Sequence, residues 1–173
     1  MNAISTPLLP LYNDAALHQL AEQVGNRLRV NRHMVCTAES CTGGWIAKMI
    51  TDIPGCSDWF DCGLAAYSYE AKQALLGVRQ ETLMQYGAVS RETVLEMVSG
   101  ALITSGASLA VAVTGIAGPT GGTPEKPVGV VWVGWKRRGR YPIAEPFHFL
   151  GDREAIRRQT VAAALRGLLA IAD

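Results

Sequence analysis

The chain has 173 residues, of which 49% are apolar and 18% are charged, and its formal net charge is +1. This length and composition indicate one globular domain with a sizeable core, and they exclude a disordered, collagen-like or solenoid-repeat protein. The near-zero net charge provides no overall field for nucleic acid or an anionic membrane surface, so neither is an expected partner.

Residues 1–13 contain two prolines and no lysine or arginine. They lack the basic start of a secretory signal, and we expect an N-terminal arm followed by a single domain over residues 14–173. No apolar run reaches the roughly 20 residues that span a bilayer. The four cysteines have no C-x-x-C spacing and the three histidines are scattered. We therefore expect free thiols, no metal, no cofactor and a cytoplasmic location.

Helical and strand patterns alternate in the first half of the chain. Asn13 or Asp14 is placed to cap the first helix, and Ser68 and Gly77 are placed to begin and end a later one. The predicted elements are a helix over 17–28, a strand over 34–38, a helix that starts near 42–44 and ends before 54–55, a strand over 63–67, and a helix between Ser68 and Gly77.

The second half contains most of the predicted strands and a glycine-rich loop. Its predicted elements are a helix over 91–105 capped by Ser90, a strand over 109–114, a structured loop over 115–122, strands over 128–135 and 143–150 around a short basic turn, and a last helix capped by Asp152. Helices both precede and follow the strands. The predicted fold is α/β: a three-layer α/β/α sandwich with a mixed, mostly parallel sheet and an antiparallel hairpin.

Loops that leave the carboxyl ends of parallel strands converge, so the segments after Ala38, Tyr67 and Thr114 are expected to share one crevice. A serine hydroxyl is a poor nucleophile until a base takes its proton, and with no histidine motif in the sequence Lys72 is the candidate base for Ser40. This role requires the pKa of the lysine to fall from about 10.4 to about 7–8. Its place near a helix start and burial beside Tyr67 favour that fall.

The residues alone leave plainer interpretations open. Ser40 also suits a helix cap followed by glycines for close packing, Lys72 also suits a solvated helix surface, and Tyr67 also suits packing at a strand end. Cys41 is a second candidate nucleophile, because a thiol near a helix start can be acidified.

Anion and oxyanion binding require backbone N–H donors that no side chain obstructs, and two glycine-containing segments supply them. Arginines at the start of the last helix would add positive charge, although they equally suit surface ion pairs. The candidate substrate-binding residues are Cys41, Thr42, Gly43, Gly44, Thr114, Gly115, Gly118, Arg153 and Arg157.

From about Ala15 to Leu169 the chain resembles the C-terminal domain of the competence/damage-inducible protein CinA, and especially the stand-alone nicotinamide-nucleotide amidohydrolases of that family. The similarity rests on several separate motifs rather than on one. The matching segments are 37–44, Tyr67-Ser68 with Ala71-Lys72, 87–90, 114–119 with Gly121-Gly122, 126–129 and 151–153.

The resemblance implies hydrolysis of the carboxamide of nicotinamide mononucleotide to nicotinic acid mononucleotide and ammonia, in pyridine-nucleotide salvage, without a required metal. It places Ser40 at the position of the proposed nucleophile, Lys72 at that of its base and Tyr67 beside them. The implied partner is thus a small-molecule nucleotide.

One position departs from the family pattern. Active members usually read Tyr-Ser-Asn, whereas this chain reads Tyr67-Ser68-Tyr69. If the asparagine contacts ligand or fixes the lysine, a phenol cannot reproduce its geometry, and the chain would be a weak or inactive paralogue that binds a nucleotide or a partner. A purely structural assembly module is a third possibility. The four tryptophans offer apolar surface for self-association, so a homodimer or higher homo-oligomer is expected.

Overall fold

The computed structural model describes residues 12–173, in which a five-stranded sheet separates two layers of helices. The three adjacent strands on one side of the sheet pair in parallel, and the other two pairings are antiparallel. The strands are β1 (Val35–Glu39), β2 (Phe60–Ala65), β3 (Leu109–Gly115), β4 (Val130–Arg137) and β5 (Ile143–His148), in the order β2-β1-β3-β4-β5. The predicted mixed sheet with an antiparallel hairpin is confirmed.

Within the described residues, six α-helices cover the sheet, three on each face. On one face lie α1 (Asp14–Val30), α2 (Trp45–Thr51) and α6 (Arg153–Ile171), and on the other lie α3 (Tyr69–Leu76), α4 (Gln80–Tyr86) and α5 (Arg91–Thr104). A 3₁₀ turn occupies Cys56–Asp58. The predicted three-layer α/β/α arrangement is therefore confirmed.

Successive residues of a strand point to opposite sides of the sheet, and in β3 the residues on the two sides differ in size. In β3, Val111 and Val113 pack in the core with α1, α2 and α6, whereas Ala110 and Ala112 pack in the core with α5. The strand is buried on both faces, as a central strand of an α/β sheet is expected to be.

Four predicted helix caps are present. The side chains of Asn13, Ser68, Ser90 and Asp152 each accept a hydrogen bond from the backbone N–H three residues later, at 2.8–3.2 Å. Gly77 ends α3 with a φ of 63°, which a residue with a Cβ rarely adopts. The caps of α3 fix where Lys72 falls in that helix.

Two features of the local prediction are wrong. The strand predicted over 63–67 lies at Phe60–Ala65, because β2 is an edge strand of alternating exposure that tolerates the charged Asp61. Ala66 and Tyr67 leave the strand, and their carbonyls accept hydrogen bonds from a side chain instead. Helix α4 was not predicted, since it is short and its N-cap, Arg79, makes no side-chain capping bond.

The predicted N-terminal arm, residues 1–13, lies outside the described residues except for Tyr12 and the cap residue Asn13. The prediction that tryptophans form a self-association patch is wrong for two of the four, because Trp59 and Trp135 are buried. Within residues 12–173, none of the helices has the length and apolarity that crossing a membrane requires.

Candidate active site

The candidate residues meet at the edge of the sheet where β1, β2 and β3 end. Ser40 directly follows β1, Tyr67 follows β2, and Lys72 is the fourth residue of α3. Because these three strands are parallel, their carboxyl ends share one edge, which is the usual place for a site in such sheets. The expected convergence of these segments is what the structure shows.

Ser40 and Lys72 are in direct contact. Lys72 Nζ lies 2.9 Å from Ser40 Oγ, and it donates hydrogen bonds of 2.9 Å to the carbonyl oxygens of Ala66 and Tyr67. The lysine has 0% of its surface exposed and the serine has 8%. The contact therefore joins an alcohol and an amine that are both largely removed from water.

Burial lowers the pKa of Lys72 from its ordinary 10.5 to about 8. The neutral amine therefore makes up about a tenth of the population at pH 7 and about half at pH 8. In that form two N–H groups suffice for the carbonyls of Ala66 and Tyr67, and the nitrogen lone pair is free to accept the Ser40 hydroxyl proton. The ammonium form donates to the same three oxygens, so proton transfer requires no change of partners.

The turn after Ser40 is held by a buried carboxylate that was not among the predicted site residues. Glu39 is 1% exposed. Its oxygens accept five hydrogen bonds of 2.7–3.1 Å, from the hydroxyls of Thr37 and Thr42 and the backbone N–H groups of Gly44, Ile46 and Ala47. The only sequence signal was its position between a buried strand and a helix start, where a carboxylate is favoured.

Glu39 therefore overturns one prediction. The N–H groups at the start of α2 were expected to bind a ligand anion or oxyanion, but the Glu39 carboxylate accepts the N–H groups of Gly44, Ile46 and Ala47 instead. Gly43 donates its N–H to the Ser40 carbonyl. Two amides remain between Ser40 and Gly43: no other residue among 12–173 accepts a hydrogen bond from the N–H of Cys41 or Thr42.

The thiol of Cys41 is buried rather than activated. Burial raises its pKa to about 12, so the expected acidification near a helix start is wrong. Because a thiol in that state carries almost no thiolate at neutral pH, Cys41 is not a second nucleophile.

The two candidate arginines have different partners. Arg157 donates from Nε to the Cys41 carbonyl at 3.1 Å and from Nη2 to the Thr42 carbonyl at 2.7 Å. Arg153 donates from Nη1 to the Gly118 carbonyl at 2.8 Å and from Nη2 to the Tyr67 hydroxyl at 3.3 Å. Tyr67 is 63% exposed. Arg153 and Tyr67 thus form a polar rim, whereas Arg157 braces the turn beside Ser40.

A cleft of about 630 Å³ opens beside this turn, within the size range of ligand pockets. Three cationic side chains and one indole line it, together with the glycines after Thr42. Its lining residues are Thr42, Gly43, Gly44, Trp45, Lys48, Arg153, Glu154 and Arg157. Trp45 and Lys48 were not predicted as site residues, although their i, i+3 spacing places both on one face of α2.

The glycine-rich loop is fixed mainly by packing. Thr114 is buried and donates its hydroxyl to the Ala88 carbonyl at 2.8 Å. A Cβ on Gly115 would lie 2.6 Å from a methyl group of Val131, so only glycine fits there. Gly118, with a φ of 76°, offers its carbonyl to Arg153. None of these three contacts presents a free donor to the cleft.

Tyr69 does not disturb the contact between Ser40 and Lys72. It is the first residue of α3 and is 42% exposed, and its hydroxyl accepts a hydrogen bond from the Ala88 N–H at 3.3 Å. The phenol therefore reaches the segment before α5, to which Thr114 is also bonded.

In the part of the chain that the structure describes, no group of three or more histidine, cysteine or acidic side chains is arranged to bind a metal ion.

Comparison with known proteins gives the family. The model of the CinA C-terminal domain matches residues 17–172. The chain belongs to the CinA C-terminal domain family. It is 53% identical over 155 residues to the nicotinamide-nucleotide amidohydrolase PncC of Escherichia coli K12, covering 90% of this chain and 94% of that protein.

Two further relatives agree in extent and shape. The nicotinamide-nucleotide amidohydrolase PncC of Pseudomonas putida is 54% identical over 150 residues, which cover 87% of this chain and 93% of that protein. The crystal structure of the competence/damage inducible protein CihA from Agrobacterium tumefaciens superposes with a TM-score of 0.88 at 44% identity, covering 94% of this chain and 98% of that one.

Proposed function

We propose that this chain hydrolyses the carboxamide of nicotinamide mononucleotide, giving nicotinic acid mononucleotide and ammonia in pyridine-nucleotide salvage. The observation that carries the chemistry is the 2.9 Å contact between Ser40 Oγ and a buried lysine amine whose pKa is lowered to about 8. The substrate follows from relatives named as nicotinamide-nucleotide amidohydrolases that are more than half identical to this chain.

The first half of the reaction forms an ester on Ser40. Neutral Lys72 takes the hydroxyl proton as Ser40 Oγ bonds to the carboxamide carbon, and the carbonyl oxygen becomes an oxyanion. The unpaired N–H groups of Cys41 and Thr42 adjoin Ser40 and are the proposed oxyanion donors. The Lys72 ammonium then gives its proton to the departing nitrogen, the C–N bond breaks and ammonia leaves.

The second half regenerates the enzyme. Lys72, neutral again, takes a proton from a water molecule whose oxygen bonds to the ester carbon, and the same N–H groups hold the second oxyanion. The bond to Ser40 Oγ then breaks, the oxygen recovers its proton from Lys72, and the product leaves as the carboxylate. In each half the same amine first takes a proton and then gives it up, which its three fixed partners allow.

The cleft beside the turn is the proposed site of the nucleotide. Arg153 and Lys48 supply positive charge for the phosphate, Trp45 supplies an aromatic wall, and Tyr67 lies on the rim next to Arg153. The inactive-paralogue alternative rested on Tyr69, and the hydroxyl of that residue is bonded to Ala88 rather than to Lys72 or Ser40. The structure thus offers no specific support for a silent site.

We also propose that residues 14–173 act as one cytoplasmic domain that forms a homo-oligomer. The four free cysteines fit a reducing compartment. Exposed apolar side chains at Tyr141, Ile143 and Leu150 border the edge strand β5 and offer surface for a second copy.

The direct test is incubation of the purified chain with nicotinamide mononucleotide, followed by an ammonia assay and chromatography of the nucleotide product. Nicotinamide riboside, which lacks the phosphate, is the matched control substrate and should react more slowly. Tight binding of the mononucleotide in calorimetry, with no ammonia at enzyme concentrations close to those of the substrate, would favour the binding paralogue instead.

The pH dependence follows from the buried lysine. The base must be neutral, and its pKa is about 8, so kcat/KM should rise with pH through about 8 and fall about tenfold per unit well below it. The measurement is kcat/KM for ammonia release between about pH 6 and 9.5. A profile that is flat across pH 8 would contradict Lys72 as the base.

A further inference from the structure

A carboxylate and a guanidinium grip the turn after Ser40 from two sides. Glu39 holds the Thr42 hydroxyl and the Gly44 N–H, and Arg157 holds the carbonyls of Cys41 and Thr42. Successive residues at the end of β1 point to opposite faces, so Glu39 reaches α2 while Ser40 reaches Lys72 of α3. Neither Glu39 nor Arg157 contacts Ser40 Oγ or Lys72.

The sequence also makes room for the carboxylate's partners. A Cβ at Gly63, the β2 residue opposite Thr37, would lie 2.6 Å from the Ala47 Cβ and 3.1 Å from the Thr37 hydroxyl. Both Thr37 and Ala47 donate to Glu39. The absence of a side chain at Gly63 therefore lets the first turn of α2 come close enough for its N–H groups to reach the buried carboxylate.

Because each peptide group is planar, the hydrogen bonds to the carbonyls of Ser40 and Cys41 also fix the direction of the next N–H group along the chain. In a trans peptide the C=O and N–H point opposite ways. The bond from Arg157 to the Cys41 carbonyl thus fixes where the Thr42 N–H points. The bond from the Gly43 N–H to the Ser40 carbonyl similarly fixes the Cys41 N–H. Within the turn 41–44, these are the two N–H groups that no other residue among 12–173 accepts.

We propose that Glu39 and Arg157 are positioning residues that act through the turn 41–44, holding the Cys41 and Thr42 N–H groups where the oxyanion on the substrate develops. This inference rests on the proposed function and deepens it. The two arginines of the cleft then have different roles: Arg157 orients the turn, whereas Arg153 binds the nucleotide.

A carboxylate is the group that this position requires. Five donors converge on two oxygens that carry no hydrogen, and every one of the five finds an acceptor. Glutamine has the same shape, but an NH₂ group replaces one of the two oxygens. That NH₂ group cannot accept the hydrogen bonds that the oxygen accepts, because it is itself a donor. The turn would have to shift to relieve that conflict, and a displacement of about 1 Å at a catalytic donor is enough to lower a rate about 10²-fold.

The first variant is Glu39→Gln, with Glu96→Gln as its matched control. Glu96 also accepts hydrogen bonds from a backbone N–H, an arginine and a threonine, but its partners are Arg79, which precedes α4, and Thr82, which lies within α4, and neither lines the cleft. Glu39→Gln should lower kcat about 10–100-fold with little change in KM and with the same pH midpoint. Glu96→Gln should leave kcat unchanged. A kcat loss no larger than that of Glu96→Gln would overturn the proposal.

The second variant is Arg157→Lys, which does not depend on a buried substitution. Lysine keeps the charge but cannot bond both carbonyls in the fork geometry of arginine. A positioning role predicts a lower kcat with KM nearly unchanged, and the kcat losses of Arg157→Lys and Glu39→Gln should not add in the double variant. A rise in KM with kcat unchanged would assign Arg157 to ligand binding and overturn the proposal. This variant decides the matter if Glu39→Gln does not fold.

A fluorophosphonate provides a readout that does not depend on nicotinamide mononucleotide. Ser40 Oγ would bond to phosphorus as fluoride leaves, and the phosphoryl oxygen would occupy the oxyanion position; mass spectrometry follows the adduct. Both variants should label at least about tenfold more slowly than wild type, and equal rates would overturn the positioning role. A wild-type chain that labels but releases no ammonia from the mononucleotide would reject the proposed substrate alone. A wild-type chain that does neither would reject both.

Discussion

Ser40→Ala is expected to reduce kcat for ammonia release by at least about 10⁴-fold, because it removes the atom that bonds to the carboxamide carbon. The residual rate would come from the oxyanion donors and from substrate binding. The substitution deletes one hydrogen bond, to Lys72, so the free energy of unfolding should change by only about 1 kcal/mol. The measurements are steady-state ammonia release and denaturant unfolding.

Ser105→Ala is a suitable control for that experiment. Its hydroxyl lies next to Cys36 and Ala107 at the start of β3, the opposite end of that strand from the site, and activity should be retained. Retention of full activity by Ser40→Ala would remove Ser40 as the nucleophile. The buried thiol of Cys41, with a pKa of about 12, would not be a ready replacement.

Lys72→Met is expected to abolish turnover, with kcat falling about 10⁴-fold or more, while leaving the fold as stable as before or more stable. Burial lowers the pKa of the lysine from 10.5 to about 8, which costs the folded state about 3 kcal/mol at pH 7. Methionine removes this cost, but the buried carbonyl of Ala66 loses its donor, at about 1–3 kcal/mol, whereas the part-buried carbonyl of Tyr67 is open to water as a replacement donor. The net change should lie between zero and about 2 kcal/mol of stabilisation.

The pH dependence of unfolding checks the same prediction. Between about pH 8 and 10.5 the unfolded wild-type chain binds more protons at Lys72 than the folded chain does, so wild-type stability should rise with pH across this window. Lys72→Met lacks that contribution, and its stability relative to wild type should decline from pH 7 to 10. Urea unfolding at several pH values measures both. A variant more than about 2 kcal/mol less stable than wild type at pH 7 would contradict the account.

Local signals predicted the positions of Ser40 and Lys72 in the fold correctly. Ser68 and Gly77 delimit a short helix in which Lys72 occupies the fourth position, and Ser40 follows a strand buried on both faces. Because parallel strands end at one edge, these two segments were expected to meet. The prediction succeeded since caps and strand polarity are encoded by adjacent residues.

Contacts between distant residues were less accessible from the sequence. That Glu39 would turn toward the start of α2 depends on the space left at Gly63, which lies on another strand. The acidity of Cys41 was misjudged because complete burial outweighs a helix start. The bounds of β2 were displaced because Asp61 interrupts its apolar run at an exposed edge. Each case was decided by packing that no neighbouring residue specifies.

The position of β2 has a consequence for how this protein would lose activity on warming. Ser40 follows β1, which is paired on both sides, whereas the carbonyls that hold the Lys72 amine follow β2, which pairs with β1 alone. Outer strands open more readily than central ones. Local opening of β2 would separate the Lys72 amine from the Ser40 hydroxyl while the helices and the central strands remained folded. Inactivation would then precede melting, and it would be reversed on cooling.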